Sequence, residues 1–226
     1  MGLSRRETLS LLGEKTRGVL RGCDPRGSRG DGASGSGGLG RARGRRALGY
    51  RIRPCKGEIV CGARERGSEP HPECLQALAR LHARIHSQPA HQLGCLKSKL
   101  ATNIAGIGLL DEPLKQILLG RLAGMPDGDR LCHGDFPVNV LGQNSLPIVI
   151  DWPDACCGDP AADVCRSYLL LKLHAEDIAE PYLDAYCSIT NMPRENILGW
   201  LPYVAAARLA EDVPDDWARL LEIVHA

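Results

Sequence analysis

The chain has 226 residues and a formal net charge of +1, so its length allows one domain or slightly more and its charge points to no class of partner. Residues 1–70 contain 16 Lys and Arg against 7 Asp and Glu, 16 of the 26 glycines and only one aromatic residue, Tyr50. Such a segment buries too little apolar surface to offset the entropy of ordering its backbone. We therefore predict a disordered, low-complexity segment over residues 1–70 and a folded domain over residues 71–226.

Two patterns within residues 1–70 have simple explanations. Residues 35–40 match G-x-G-x-x-G, a nucleotide-loop pattern, but so glycine-rich a segment gives this match by chance and no β-branched strand flanks it. The arginines of residues 41–53 are not interleaved with aromatic residues that would stack on bases. This composition favours a solvated tail over a nucleic-acid-binding arm.

The ten cysteines show no C-x-x-C pair, and the chain has neither a basic-then-apolar leader nor an apolar run of about 18 residues. We expect reduced thiols in a cytoplasmic protein that does not cross a membrane, rather than a disulfide or zinc framework.

Helical periodicity begins at Pro72. The segment from Glu73 to Ser87 places Leu75, Leu78, His82 and Ile85 on one face. His82 and His86 have the i, i+4 spacing of metal ligands, but no acidic third ligand is evident, so we expect buried or half-buried helix histidines. Further helices are predicted over residues 97–107, 112–123, 160–173, 178–189, 194–209 and 217–224, and a turn over residues 126–128.

Between these helices, two apolar strands are predicted over residues 138–141 and 147–150, on either side of a polar hairpin. Asp135 precedes the first strand and Asp151 follows the second. A carboxylate near either end of a hairpin suits a metal–phosphate site, because one can accept a hydroxyl proton while the other holds Mg²⁺ against phosphate oxygens.

Four motifs follow one another in this region: His133-Gly134-Asp135, Asn139, Ile150-Asp151-Trp152 and Gly158-Asp159-Pro160. Their order and their strand–loop–helix context resemble the aminoglycoside phosphotransferase and choline kinase-like group. The resemblance covers residues 72–226 and implies an α+β, mostly helical fold: the large C-terminal lobe of a protein-kinase-like fold with a short catalytic β-hairpin. No counterpart of the smaller, β-rich lobe of that fold is evident in residues 1–70.

The resemblance also implies roles for the matched residues. Asp135 would be the catalytic carboxylate, and Asn139 and Asp151 would bind Mg²⁺. The supporting positions would be His133, Gly134, Trp152, Asp159 and Asp163. Capping of its own helix explains Asp159 fully, while the resemblance adds a brace for the catalytic loop, residues 133–139; for Asp163 we expect only local bonds.

The spacing within the catalytic loop departs from the group's pattern. Asn139 lies four residues after Asp135, where the group has five. One extended residue spans about 3.3 Å, which Mg²⁺–oxygen bonds of about 2.0–2.1 Å cannot absorb. Either the loop retracts and Asn139 keeps its role, or the second metal ligand is lost.

The resemblance implies a phosphotransferase that moves the γ-phosphoryl group of ATP, with Mg²⁺, to a hydroxyl of a small acceptor of aminoglycoside, choline or homoserine type. The alternative is a catalytically inactive lobe that acts as a binding or residual protein. Four acidic residues offer negative charge to a cationic acceptor and are equally explained as a solvated helix end: Glu211, Asp212, Asp215 and Asp216.

Overall fold

The computed structural model of the chain describes residues 72–143 and 146–226. Its elements are α1 (Pro72–His86), α2 (Leu96–Gly106), α3 (Glu112–Ala123), β1 (Arg130–Cys132), β2 (Val140–Gln143), β3 (Leu146–Val149), β4 (Cys156–Gly158), α4 (Pro160–His174), α5 (Glu176–Thr190), α6 (Arg194–Leu198), α7 (Leu201–Leu209) and α8 (Trp217–His225). The described part is mostly helical, as predicted, with its strands in two antiparallel pairs. The predicted low-complexity segment lies outside the described residues.

Helix α4 lies at the centre of the core. Ten of its 15 residues are buried, the pattern of a helix that is covered on nearly all sides. Asp159 caps it, because the Asp159 Oδ1 atom accepts the main-chain N–H of Ala161 at 2.9 Å and Pro160 takes the first helical position. The predicted start of this helix is confirmed.

Helix α1 buries the face that its periodicity predicts. Leu75, Leu78 and Ile85 are all buried, and the helix packs mainly against α5. Complete burial of each such side chain contributes roughly 1.5–3 kcal/mol, so this face anchors α1 to the core.

The strands are short and serve mainly to position loops. In the first pair, β1 lies antiparallel to β4, with Cys132 opposite Cys156. In the hairpin, β2 begins at Val140, two residues later than predicted, because Phe136–Val138 forms a 3₁₀ turn that contains Pro137. The second hairpin strand is Leu146–Val149 rather than residues 147–150.

The predicted helix over residues 194–209 is wrong in one respect, because the chain forms α6 and α7 instead. Pro202 has no main-chain N–H to donate to Leu198, and its ring clashes with the carbonyl of that residue in a continuous helix. The break at Gly199 and Trp200 leaves the Trp200 side chain 1% exposed, so the interruption also fills the core.

In the parts of the chain that the structure describes, no helix could cross a membrane. The longest of these helices has 15 residues, whereas a bilayer core requires about 20 apolar ones.

Gly128 generates the first testable prediction, because its turn touches the start of α4. Its φ is +68°, and a Cβ atom there would lie 2.2 Å from the main-chain nitrogen of Asp159. We predict that Gly128→Ala lowers the free energy of unfolding by roughly 2–4 kcal/mol, through left-handed strain and overpacking. Urea unfolding followed by circular dichroism measures the loss.

Gly120 is the matched control, because it lies within α3 and an added Cβ would meet nothing within 4 Å. Gly120→Ala should raise the free energy of unfolding by about 0.5–1 kcal/mol. Equal urea midpoints for Gly128→Ala and the unsubstituted chain would contradict the prediction.

Candidate active site

The catalytic loop, residues 133–139, joins β1 to the hairpin and is compact. Its 3₁₀ turn, Phe136–Val138, rises only about 2.0 Å per residue and so brings the two ends of the loop together. The Asn139 Nδ2 atom donates to the main-chain oxygen of Asp135 at 2.7 Å and to its Oδ2 atom at 3.1 Å. The loop is therefore compact and brings Asn139 beside Asp135, the conformation that a metal-binding role for Asn139 requires.

His133 is buried and links the two sides of the site. Its Nδ1 atom accepts the main-chain N–H of Asp135 at 3.2 Å, so the ring proton is on Nε2, which donates to the carbonyl of Ile150 at 3.0 Å. The ring packs on Trp152, with 4.6 Å between ring centroids, and the Trp152 indole donates to the carbonyl of Val149 at 3.1 Å. His133 therefore ties the catalytic loop to the chain around Asp151.

Asp151 is exposed at the end of the hairpin and has a φ of +63°, in the left-handed region that Asp enters more readily than most residues. The preceding residue, Ile150, donates its main-chain N–H to the carbonyl of Asn139 at 2.9 Å and accepts from His133. The peptide groups of Ile150 therefore bind both ends of the catalytic loop. These two bonds fix the position of the neighbouring Asp151 relative to Asp135.

Asp163 holds the start of the catalytic loop through hydrogen bonds to its main chain. It is 1% exposed in the first turn of α4, and its two carboxylate oxygens accept the main-chain N–H groups of His133 at 2.6 Å and Gly134 at 2.8 Å. The expectation of only local bonds for Asp163 is therefore wrong. Asp159 caps α4 through Ala161, while Asp163, one turn further along, faces the end of β1 and braces the loop.

His82 and His86 are buried as predicted, and their acidic partner is Asp163. Each donates from Nε2 to the Asp163 Oδ2 atom at 3.1 Å, because a carboxylate only accepts. Each Nδ1 atom lies against a tyrosine hydroxyl of α5, that of Tyr182 at 2.6 Å and that of Tyr186 at 2.7 Å. The three atoms that would bind a metal lie within 4.8 Å of one another, but the hydrogen bonds already satisfy them.

In the buried cluster of His82, His86 and Asp163, the carboxylate of Asp163 is charged. Burial alone would raise the pKa of Asp163, but the hydrogen bonds from His82 and His86 outweigh burial and hold its pKa well below the usual range. Burial, together with the neighbouring His86, lowers the pKa of His82 to about 3. At neutral pH, Asp163 is therefore ionised and His82 is neutral.

Asp135 is half-buried beside a fixed cation. Burial raises the pKa of Asp135, and the positive charge of Arg166 opposes that rise. The Arg166 Nε atom donates to the carbonyl of Gly134 at 3.2 Å, and its Nη2 atom lies 2.6 Å from the Oε1 atom of Glu211. These two bonds hold the guanidinium near the catalytic loop.

A cleft of about 210 Å³ opens beside Gly134. Side chains of α2, α4 and α7 supply its apolar lining, and its main polar residues are Lys99, Asn103, Asp154, Arg166 and Glu211. Two ion pairs lie in this lining. The Lys99 Nζ atom lies 2.6 Å from the Oδ1 atom of Asp154, and the Arg166 Nη2 atom lies 2.6 Å from the Oε1 atom of Glu211. The cleft therefore presents paired charges of both signs.

The four C-terminal acidic residues occupy different environments. Glu211 lines the cleft and is bound by both Arg166 and Arg208. Asp216 is 4% exposed and accepts from Arg208 at 2.9 Å, so a solvated position is wrong for it and it is closed to an acceptor. The other two acidic residues are exposed: Asp212 and Asp215.

Sequence reasoning missed three residues of this region: Lys99, Asp154 and Arg166. Arg166 had a usable signal, because it lies three residues after Asp163 on the same predicted helix, one turn further along. The pairing of Lys99 with Asp154 had none, because no local pattern relates residues so far apart in the chain.

The described residues thus define a mostly helical domain with clustered acidic residues beside a cleft. The model of the phosphotransferase enzyme family matches residues 58–198, more than half of the chain. The chain belongs to this family, and the predicted resemblance is confirmed, with a match that begins before Pro72. A comparison with curated proteins found no match.

The buried cluster predicts that acid destabilises the fold through His82. Its pKa is about 3 in the folded chain and ordinarily 6.5, so the unfolded state binds more protons between these pH values. The free energy of unfolding should therefore fall as the pH drops below 6.5, by roughly 1.4 kcal/mol per pH unit for this one group. Urea titrations at about pH 7 and about pH 5 measure the slope.

His82→Gln keeps a side chain that can donate to Asp163 but removes the titrating ring. We expect this variant to have a lower free energy of unfolding at both pH values. Its free energy of unfolding should also depend much less on pH. His91→Gln is the matched control, because the His91 side chain is 70% exposed, and it should keep the original slope. Equal slopes for His82→Gln and the unsubstituted chain would rule this explanation out.

Proposed function

We propose that the chain transfers the γ-phosphoryl group of ATP, with Mg²⁺, to a hydroxyl of a small molecule, and that the described residues are the large lobe of a kinase-like fold. Family membership supports phosphotransfer. The observation that carries the proposal is the hydrogen-bonded connection among Asp135, Asn139 and the residue before Asp151: Asn139 binds Asp135 through its side chain and Ile150 through its carbonyl.

In this proposal, Asp135 accepts the proton of the acceptor hydroxyl or positions that hydroxyl. Its main chain is held on both sides, because Gly134 donates to Asp163 and the Asp135 carbonyl accepts from Asn139. Partial burial makes the carboxylate a stronger base, while Arg166 favours its ionised form. A positioned general base typically contributes about 10²–10⁴-fold in rate.

Asn139 and Asp151 suit the binding of Mg²⁺. Both offer oxygen atoms, the ligands that this ion prefers. Because the Asn139 Nδ2 atom donates to Asp135, its Oδ1 atom is directed away from those bonds. Asp151 is exposed and therefore open to a ligand. When bound, the ion would neutralise negative charge that develops on the transferred group.

We assign the acceptor to the cleft beside Gly134, which adjoins Asp135. Its apolar lining fits a small hydroxylated amine of aminoglycoside, choline or homoserine type, and the carboxylates of Asp154 and Glu211 offer negative charge to the amine. An acceptor amine would compete with Lys99 for Asp154 and with Arg166 for Glu211, because each cation already lies 2.6 Å from its carboxylate.

Calorimetric titration of ATP, with and without Mg²⁺, into Asp151→Asn tests the metal site. Asn tolerates the left-handed φ of +63° at this position, so the substitution removes charge without adding backbone strain. We predict Mg²⁺-dependent nucleotide binding by the unsubstituted chain and its loss in Asp151→Asn, because the carboxylate contact to the ion is gone.

Asp212→Asn is the matched control, since Asp212 is also exposed and has a φ of +55°. It should bind nucleotide normally. Asp135→Asn should bind nucleotide but transfer phosphate to hydroxylated amines about 10²–10⁴-fold more slowly. No binding at millimolar nucleotide by a chain that circular dichroism shows to be folded would favour the inactive-lobe alternative.

The position of Arg166 near Asp135 leads to a prediction about the pH dependence of phosphotransfer. Activity should fall on the acid side as Asp135 becomes protonated, and removal of the nearby positive charge raises the pKa of that carboxyl further. We expect Arg166→Met to move the acid limb of the kcat/KM profile to higher pH. Arg219→Met, at an exposed arginine of α8, should leave the limb in place, and an unmoved limb in Arg166→Met would refute the assignment.

A further inference from the structure

Cys95 and Cys157 lie on neighbouring stretches of the chain at the start of α2. A parallel bridge pairs the two residues, and the main-chain N–H of Cys157 donates to the carbonyl of Gly94 at 2.8 Å. Neighbouring extended chains lie about 4.8 Å apart, within the Cα separation of about 4.4–6.8 Å that a disulfide spans. The backbone therefore places these two cysteines at a separation compatible with a covalent bond.

Cys95 has the environment of a reactive thiol. It is exposed and precedes the first residue of α2. The main-chain N–H of Ser98, in the first turn of α2, is the main cause that lowers the pKa of this thiol, and burial opposes it. A lowered pKa increases the thiolate fraction, which is the form that attacks oxidants.

Other described cysteines are better shielded. Cys132 and Cys165 are buried; the hydrogen bond with Cys156 and burial raise the pKa of the former, and burial raises that of the latter. Cys157 is half-buried, and its pKa is raised, first by burial. Of this group, Cys95 is the thiol that is exposed to an oxidant in solution, and Cys157 is the neighbour that can resolve its oxidised form.

We propose that Cys95 is an oxidation site for hydroperoxides and that Cys157 converts the product into an intramolecular disulfide. The Cys95 thiolate attacks one peroxide oxygen, the O–O bond breaks, and the departing hydroxide of hydrogen peroxide, or alkoxide of an organic hydroperoxide, takes a proton to become water or an alcohol. The Cys157 thiol then attacks the sulfur of the Cys95 sulfenic acid, the S–O bond breaks, and a water molecule leaves. Two thiols are oxidised and one peroxide is reduced.

The disulfide would join the start of α2 to β4, the strand that immediately precedes Asp159 and α4. Leu96 and Cys156, the neighbours of the two linked residues, line the cleft beside Gly134. Oxidation would therefore fix one wall of that cleft. It would also restrict the unfolded chain and so stabilise the fold.

The site can be tested without any assay of phosphotransfer. The purified full chain is treated with hydrogen peroxide, free thiols are blocked with N-ethylmaleimide, and trypsin plus Asp-N digestion precedes non-reducing mass spectrometry. The sequence then yields residues 85–97 with Cys95 as their only cysteine, and residues 154–158 with Cys156 and Cys157. We expect these two peptides to be joined after oxidation and released by dithiothreitol, together with a rise in Tm of about 5 °C.

Matched variants distinguish this bond from other oxidation products. Cys95→Ser should form no link and should still fold, because Ser caps helices well. Cys157→Ser should retain the Cys95 sulfenic acid, which dimedone captures. Cys187→Ser, at a half-buried cysteine whose pKa burial raises, should oxidise like the unsubstituted chain. A link from Cys95 to any other cysteine, its persistence in Cys157→Ser, or no link at all would overturn the proposal.

Discussion

The buried carboxylate of Asp163 is the interaction on which the rest of the described structure depends. It accepts main-chain hydrogen bonds from His133 and Gly134 and ring hydrogen bonds from His82 and His86. Burial of an unpaired carboxylate in an apolar core would lower the free energy of unfolding by several kcal/mol. The folded state therefore requires all four hydrogen-bond donors to Asp163. This one group therefore couples the packing of α1 against α4 to the conformation of the catalytic loop.

Helix α4 sets the electrostatics of the site as well as its geometry. Asp159 fixes where the helix begins, and the next turn brings Asp163 beneath the catalytic loop. Arg166, three residues later, binds the carbonyl of Gly134 and acts on the pKa of Asp135. A negative group that orients the loop and a positive group that tunes its carboxylate therefore come from adjacent turns of one helix. A shift in the register of this helix would disturb both.

Local patterns in the sequence were sufficient for most helices and for the Asp159 cap, because periodicity and capping involve residues within one or two turns. They were insufficient where a partner lies far along the chain. His82 and Asp163 are 81 residues apart, and the burial of Asp216 depends on Arg208, which packing rather than spacing brings to it. Strands of three residues, such as β1, are also too short to show an alternating pattern.

The catalytic loop is one residue shorter than the pattern of the group that it resembles. With three residues between Asp135 and Asn139 in place of four, an extended loop would move the amide by about 3.3 Å. The 3₁₀ turn at Phe136–Val138 shortens the path instead, and the Asn139 side chain reaches back to the carbonyl of Asp135. The carbonyl of Asn139 then binds Ile150, so the same residue that closes the loop also aligns the strand leading to Asp151. These contacts, and not the length of chain between the two residues, therefore bring Asn139 beside Asp135 and Ile150.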